Sequence, residues 1–523
     1  MSTNLASAFY NNAQSAPERL ALSVNQREFT YGELAELSER IARWLQSRPD
    51  GQPKLVGILA SRSWPAYAGL LGTCWAGAAY VPLNPDWPES RLLRILEATA
   101  LDALVVDDRG LKLLSPQILR QSPKHILAPE CKSYLLGTPP TCLIAGFDAL
   151  PLHDPRHFPT TMSADDAAYI IFTSGTTGSP KGVMVSTGNV ASFLSAMQDL
   201  YPFSSEDRVS HRHEISFDFS VLDLFITWLS GASLHVIPSG QLMGPSRFIR
   251  ERQLTVWFSV PSVIAFMRDL KMLTTGAFPS IRYSAFCGEP LAAASVRAWQ
   301  EACKNSVIDN IYGPTEATVA CLSQRCSEPF VVTKERGTIA IGTPFSGMEA
   351  AILDPSHKIL PRGEKGELAL TGEQVAQGYF KDPHKTAQRF PSIDGKTWYL
   401  TGDLAYQSAD GRFHHLGRID NQIKVLGNRV EMEDVEAHLR EVCGVDAVCA
   451  IPWPIANGSA AGIVAFVSGA SSIAATEIRE KMQSRVPKYM VPTEIRFLAS
   501  LPLSTAGKTD RQTLAAMLSE NRA

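Results

Sequence analysis

The sequence predicts an α/β protein of two domains: a large N-terminal domain of sheets covered by helices over residues 1–419, and a small α+β domain over residues 420–523. Three observations predict it. Short apolar runs alternate with amphipathic stretches over most of the chain, the pattern of parallel strands joined through covering helices. A chain of 523 residues with 45% apolar content exceeds a single core. Near position 400 the pattern changes, and beyond GRID at 417–420 strands and helices become fewer and shorter.

Taken in order, Thr30 and Glu33 form a capping box ahead of Leu34, Leu37, Ile41 and Leu45, which share one helical face. Leu55–Leu59 and Ala103–Val106 read as buried strands, with helices at 66–76 and 91–100 between them. The alternation resumes with strands at 233–237, Val256–Ser259 and Tyr283–Phe286, and helices at 221–229 and 291–303. Runs 404–407 and 412–416 flank Ser408-Ala409-Asp410-Gly411 as a hairpin. The small domain predicts helices at 433–442 and 474–485 and strands at 447–451 and 462–467. The boundary falls at Asp420, where a short linker predicts a hinge rather than a tether.

A net charge of −3 and a pI near 6.4 leave no electrostatic footprint for nucleic acid or an anionic membrane. The N-terminal residues lack a basic segment followed by an apolar core, and no stretch of about 18 apolar residues occurs, so a soluble cytoplasmic protein is expected. Nine cysteines without a C-x-x-C pair suggest neither a disulfide framework nor a thiolate zinc site. His211 and His213, at i and i+2 without supporting Cys, Asp or Glu ligands, make a poor metal site.

Residues 170–183, IIFTSGTTGSPKGV, carry the strongest chemical signal. An apolar strand runs into glycines that let backbone N–H groups converge, with Ser174, Thr176 and Thr177 as hydroxyl donors and Lys181 as a cation. That is a polyphosphate cradle, although Pro180 stands where a Walker loop has its second glycine; a flexible surface loop is the bland alternative.

Seven segments, TSGTTGSPKG (173–182), FDFS (217–220), NIYGPTE (310–316), GELALTGEQVAQGY (366–379), YLTGD (399–403), GRIDNQIKVLGNRVE (417–431) and LPLSTAGKTDR (501–511), resemble in order the motifs of the adenylate-forming superfamily. The resemblance is to amino-acid adenylation domains of nonribosomal peptide synthesis and to D-alanine–carrier protein ligases, and it covers almost the whole chain. It implies a large adenylate-forming domain, a small mobile C-terminal domain, ATP and Mg²⁺ as cofactors, and attachment of a carboxylate to the α-phosphate followed by transfer to a thiol. By resemblance the nucleotide is held by Thr173, Ser174, Gly175, Thr176, Thr177, Gly178, Lys181, Gly288, Asn310, Tyr312, Asp403 and Arg418. Asn310 and Tyr312 are expected about the adenine, and Asp403 and Arg418 on the ribose. Thr315 is expected at the α-phosphate, Glu316 at Mg²⁺, and Lys508, on a small flexible turn, bridging carboxylate and phosphate. Glu316 as a helix-capping acid and Lys508 as a solvated lysine are the plain alternatives. His415 departs from the pattern, since many relatives carry tyrosine there.

Asp218 of FDFS is implied to pair with a substrate ammonium, with capping of the following helix as the alternative. The implied pocket continues through Phe219, Leu222, Phe258, Ala285, Cys287, Ile311, Val319 and Ala320. It offers no second charge besides Asp218 and Lys508, and its bulky members fill space, so a small neutral amino acid is expected. Cys287 within FCGE resembles the D-alanine ligases, although a small core residue is an equal reading; glycine, L-alanine and proline stay open. After Arg511 only a short tail follows, so the expected acceptor is the phosphopantetheine thiol of a separate carrier protein. A small-acid CoA ligase, or a non-catalytic nucleotide-binding module with the same fold, are the alternatives.

Overall fold

A computed structural model describes residues 4–136, 142–174, 180–456, 459–468, 473–502 and 509–520. The fold is α/β, with a large N-terminal domain and a smaller C-terminal one, and two nine-stranded sheets form the frame of the first.

One sheet runs, edge to edge, through Thr343–Pro344, Leu322–Arg325, Val307–Tyr312, Tyr283–Phe286, Val256–Ser259, Arg208–His211, Ser233–Val236, Leu20–Val24 and Arg27–Thr30. Its six strands from Val307–Tyr312 to Leu20–Val24 are mutually parallel, while the Leu322–Arg325 and Arg27–Thr30 strands pair antiparallel at the two sides. The other sheet carries Leu55–Leu59, paired parallel with Ala79–Leu83 and with Ala103–Val106, and continues through Ala167–Thr173 and Lys181–Ser186 to Gly378–Tyr379. Inner strands such as Leu55–Leu59, Ala103–Val106 and Val256–Ser259 are buried on both faces, which is why they read as nearly unbroken apolar runs.

The covering helices follow the same logic. Thr30 caps the Tyr31–Gln46 helix: its Oγ1 accepts from the Glu33 N–H at 3.2 Å, and the Glu33 carboxylate accepts from the Thr30 N–H at 2.8 Å. Of the predicted face, Leu34, Ile41 and Leu45 are buried and Leu37 is half-buried against the same core. The Trp64–Trp75 and Phe219–Ser230 helices are apolar nearly all round and correspondingly buried, and the latter stops at Gly231, which has φ 72°. Behind the Tyr283–Phe286 strand, Trp299 of the Ala293–Ala302 helix packs against Trp257, Phe278 and Phe286 at ring-centroid distances of 5.7–5.9 Å and donates its Nε1–H to Ser284 Oγ at 2.9 Å.

A four-stranded antiparallel sheet, Met348–Leu353, Lys365–Gly372, Tyr399–Gln407 and Phe413–Arg418, contains the predicted hairpin. Among the described residues a second compact unit comprises Gly417–Ala523 together with Asp86–Ile95 and Phe172–Lys181. It holds the helices Met432–Cys443, Ala475–Gln483 and Arg511–Glu520. Its three-stranded sheet is Val448–Pro452, Ile463–Ser468 and Glu494–Leu498. The hairpin Gln422–Val425 and Asn428–Glu431 also lies here, turning through Leu426 (φ 49°) and Gly427 (φ 81°). That hairpin, the Glu494–Leu498 strand and the Arg511–Glu520 helix have no counterpart in the sequence expectations. The turn needs two left-handed residues, and leucine at the first of them conceals the usual Asn-Gly or Gly-Gly signal.

His235, on a central strand and 3% exposed, is pulled by burial from 6.5 to about 4. The unfolded chain therefore takes up a proton that the folded chain refuses. The contribution of His235 to stability is intact above pH 6.5 and falls as pH drops through 6.5 towards 4, by about 1.4 kcal/mol per pH unit. Urea unfolding at pH 7 and pH 5 should show this slope, shallower in His235→Gln; an identical slope in the variant refutes the assignment.

Candidate active site

Four parallel neighbours, Arg208–His211, Val256–Ser259, Tyr283–Phe286 and Val307–Tyr312, end at one edge of their sheet, where α/β folds collect ligands. Register carries Phe258 beside Ala285 and Phe286 beside Asn310, so the predicted site residues Phe258, Ala285 and Asn310 are brought to neighbouring strands by pairing rather than by sequence proximity. Cys287 and Gly288 follow directly, with Gly288 at φ 86°, a conformation that favours glycine.

Asp218 heads the Phe219–Ser230 helix and is 7% exposed. Its side chain makes no capping hydrogen bond, and neither does Ser220, whose Oγ donates to the Ile215 carbonyl. The capping alternative therefore has no counterpart in the structure. Phe219, Leu222, Phe258, Ala285, Cys287, Ile311, Val319 and Ala320 are all buried. The Phe219 ring lies 6.3 Å from Phe258 and 4.5 Å from His213. His213 and His211 each place Nδ1 3.0 Å from Asp223 Oδ2, a carboxylate partner that the sequence expectation lacked. Burial holds both imidazoles well below their ordinary value and pushes the Asp223 carboxyl well up. Tyr80 and Tyr169 are further residues that sequence reasoning missed. Their rings lie 5.5 Å apart; burial raises both phenols well above 10, and the charge of Asp218 adds to the rise.

The Thr318-Val319-Ala320 wall is strained. Thr318 and Val319 both have positive φ, 55° and 70°, a region that β-branched residues avoid. Gln374, fully buried, holds the segment from both sides: its main-chain carbonyl accepts from Thr318 Oγ1 and its Nε2 donates to the Ala320 carbonyl, each at 2.7 Å. Gln374→Leu should leave the Ala320 carbonyl unsatisfied at a cost of roughly 1–3 kcal/mol. A lowered urea midpoint with unchanged m-value is expected, whereas wild-type stability in both this variant and Thr318→Val would mean the wall needs no clamp.

Tyr312 donates its hydroxyl to Asp403 Oδ2, and His415 Nε2 lies 3.2 Å from Oδ1 of the same carboxylate. Arg336 donates to His415 Nδ1 at 2.8 Å; burial lowers the Arg336 guanidinium and Asp403 opposes that shift. The Tyr312 and His415 rings are 6.2 Å apart. The Asn310 amide donates to the Ala340 carbonyl at 2.8 Å and to that of Ile339 at 3.4 Å, so its N–H donors brace a neighbouring segment and its Oδ1 is the atom with which it would meet a base. Thr315 and Glu316 occupy a 3₁₀ turn, with Glu316 0% exposed and its Oε1 receiving the Tyr379 hydroxyl at 2.8 Å.

The remaining predicted residues fall in the second unit or outside the described residues. Thr173, Ser174 and Lys181 belong to the second unit, where Ser174 Oγ donates to the Arg429 carbonyl at 3.0 Å and Lys181 Nζ lies 3.9 Å from Glu431. Arg418 makes two bonds to Asp420, 2.8 and 2.6 Å. Gly175, Thr176, Thr177, Gly178 and Lys508 lie outside the described residues. Among the described residues no group of three or more His, Cys, Asp or Glu is placed to hold a metal, and no helix is long and apolar enough to cross a membrane.

The AMP-binding enzyme pattern matches residues 9–380, and that of the AMP-binding enzyme C-terminal domain matches residues 434–508. The chain belongs to the AMP-binding enzyme family. Over nearly its whole length the chain is similar to an adenylation domain and to single stretches of much longer synthases. Tyrocidine synthase 3 of Brevibacillus parabrevis is 31% identical over 513 residues, 97% of this chain, which spans only 8% of that protein. Bacitracin synthase 3 of Bacillus licheniformis is 32% identical over 97% of this chain and again 8% of its own length. Zwittermicin A synthase ZmaJ of Bacillus cereus is 30% identical across 99% of this chain and 96% of its own. The crystal structure of the Vibrio cholerae adenylation domain AlmE, in complex with glycyl-adenosine-5′-phosphate, matches with a TM-score of 0.88 at 30% identity, covering 99% of this chain and 98% of that one.

Proposed function

We propose that this AMP-binding enzyme activates a small neutral amino acid, glycine- or alanine-like, with ATP and then transfers it to the phosphopantetheine thiol of a separate carrier protein. The observation that carries the reading is Asp218: a buried carboxylate at the head of an apolar helix and among apolar residues. In such surroundings a carboxylate attracts an ammonium far more strongly than it would in water. Phe219, Phe258 and His213, packed ring against ring, leave the neighbourhood crowded, which favours a small side chain. The glycyl adenylate bound by AlmE supports the same size class.

In the first step a substrate carboxylate oxygen bonds to the α-phosphorus and pyrophosphate leaves. Lys508 neutralises charge on carboxylate and phosphate, Thr315 donates to the α-phosphate, and Thr173, Ser174, Lys181 and the loop between them receive the departing pyrophosphate. Asp403 accepts from the ribose hydroxyls and Tyr312 packs by the adenine. The buried Glu316 carboxylate, oriented by Tyr379, suits a hard cation and would hold Mg²⁺, which when bound offsets phosphate charge. In the second step the carrier thiolate attacks the acyl carbon and AMP leaves. A swing of the small domain about Asp420 separates the two steps.

Amino-acid-dependent ATP–pyrophosphate exchange across a panel of D- and L-amino acids tests the substrate class. Asp218→Ala should lose exchange with the preferred amino acid by at least about tenfold while ATP binding survives. Undiminished exchange would remove the ammonium role. Lys508→Ala should slow adenylation on the order of 10²–10³-fold and spare transfer from preformed aminoacyl-AMP. Asp420→Pro should do the reverse, since a fixed φ restricts the swing. Single-turnover assays separate the steps, and equal damage to both by either variant contradicts its assignment.

A further inference from the structure

Asp403 stands at the end of an ordered chain of hydrogen bonds, two of whose members, Arg336 and His415, lie outside the seven motifs. A guanidinium can only donate, so the 2.8 Å contact from Arg336 makes His415 Nδ1 an acceptor. The ring proton then sits on Nε2, which donates to Asp403 Oδ1 at 3.2 Å. Tyr312 donates to Oδ2. Each carboxylate oxygen is thus directed by a described neighbour, Tyr312 at Oδ2 and His415 at Oδ1.

The anchors of this chain are themselves fixed. The Asp403 N–H donates to Thr401 Oγ1 at 3.0 Å, and that hydroxyl donates to the Leu368 carbonyl at 2.7 Å. Arg336 is set by a tight turn, its N–H and that of Gly337 donating to the Thr333 carbonyl at 3.1 and 2.9 Å, with Gly337 at φ 65°. Thr333 in turn places Oγ1 3.1 Å from Nδ1 of His414, the neighbour of His415. The 333–337 turn and the Phe413–Arg418 strand are therefore tied at consecutive histidines, one bond on each.

We propose that Arg336 and His415 are positioning residues for nucleoside recognition: together they aim the Asp403 carboxylate so that both of its oxygens meet the two ribose hydroxyls. The inference rests on Asp403 being the ribose acceptor. A carboxylate that rotates would accept from one hydroxyl as readily as from two, whereas one held at both oxygens rewards the complete diol. Discrimination against a nucleotide lacking one hydroxyl is the property this chain of bonds confers.

Calorimetric titration with ATP and with 2′-deoxy-ATP, in the absence of amino acid, reads that property without reference to turnover. Wild type should bind ATP more tightly. His415→Leu and Arg336→Met should each reduce the Kd ratio about tenfold, the worth of one hydrogen bond to a charged group. His415→Gln should retain the ratio, because its amide oxygen accepts from Arg336 while its N–H₂ donates to Asp403; a merely space-filling role would not distinguish Gln from Leu in this way. If Asp403→Ala leaves the ratio unchanged, the ribose assignment itself fails. If Asp403→Ala abolishes the ratio while His415→Leu and Arg336→Met keep it, or if His415→Gln falls as far as His415→Leu, the positioning role is overturned.

Discussion

A negative charge at the mouth of an apolar helix is the constraint around which the site is arranged. The Phe219–Ser230 helix buries nearly every side chain it has, and its start supplies no capping bond to the Asp218 carboxylate. Tyr80 and Tyr169, from paired strands of one sheet, feel that charge; Phe258, Ala285 and Ile311, from paired strands of the other, enclose the same pocket by our reading. On the proposed reading, a substrate with an ammonium and little else would meet a strong electrostatic partner and a wall of hydrocarbon there. The same environment disfavours a second charge, since the proposed lining is otherwise apolar.

Strain and polarity around this pocket are managed by residues outside it. Val319 occupies a backbone region that β-branched side chains avoid, and it stays there because Gln374 bonds the residues on either side. His211 and His213 share one buried carboxylate, Asp223, and His213 packs on the Phe219 ring. Both devices hold pocket residues in place from behind.

Much of the frame was legible because local signals and tertiary demands agree. The Thr30–Glu33 capping box, the Leu55–Leu59 and Ala103–Val106 strands and the Ala293–Ala302 helix appear where periodicity and caps put them, within a few residues. The Gln422–Val425 hairpin was hidden by leucine at a left-handed turn position, and the Arg511–Glu520 helix by its weak apolar periodicity. At the site, glycine-, threonine- and aspartate-bearing motifs were visible because they are contiguous. Gln374, Tyr379 and Arg336 act on partners 54 to 79 positions away, and no spacing rule encodes such pairs. Asn310 shows the converse: a motif residue whose amide donors are engaged by the protein's own backbone.

The account turns on the pairing of Asp218 with a substrate ammonium. Two inhibitors that differ only there, glycyl-sulfamoyl-adenosine and its isostere propionyl-sulfamoyl-adenosine, in which a methyl replaces the ammonium, isolate that contact. Calorimetric Kd values should favour the glycyl compound by roughly 10- to 100-fold in the wild type, as a charged hydrogen bond in a buried site requires. Equal affinity, or tighter binding of the propionyl compound, would contradict the account.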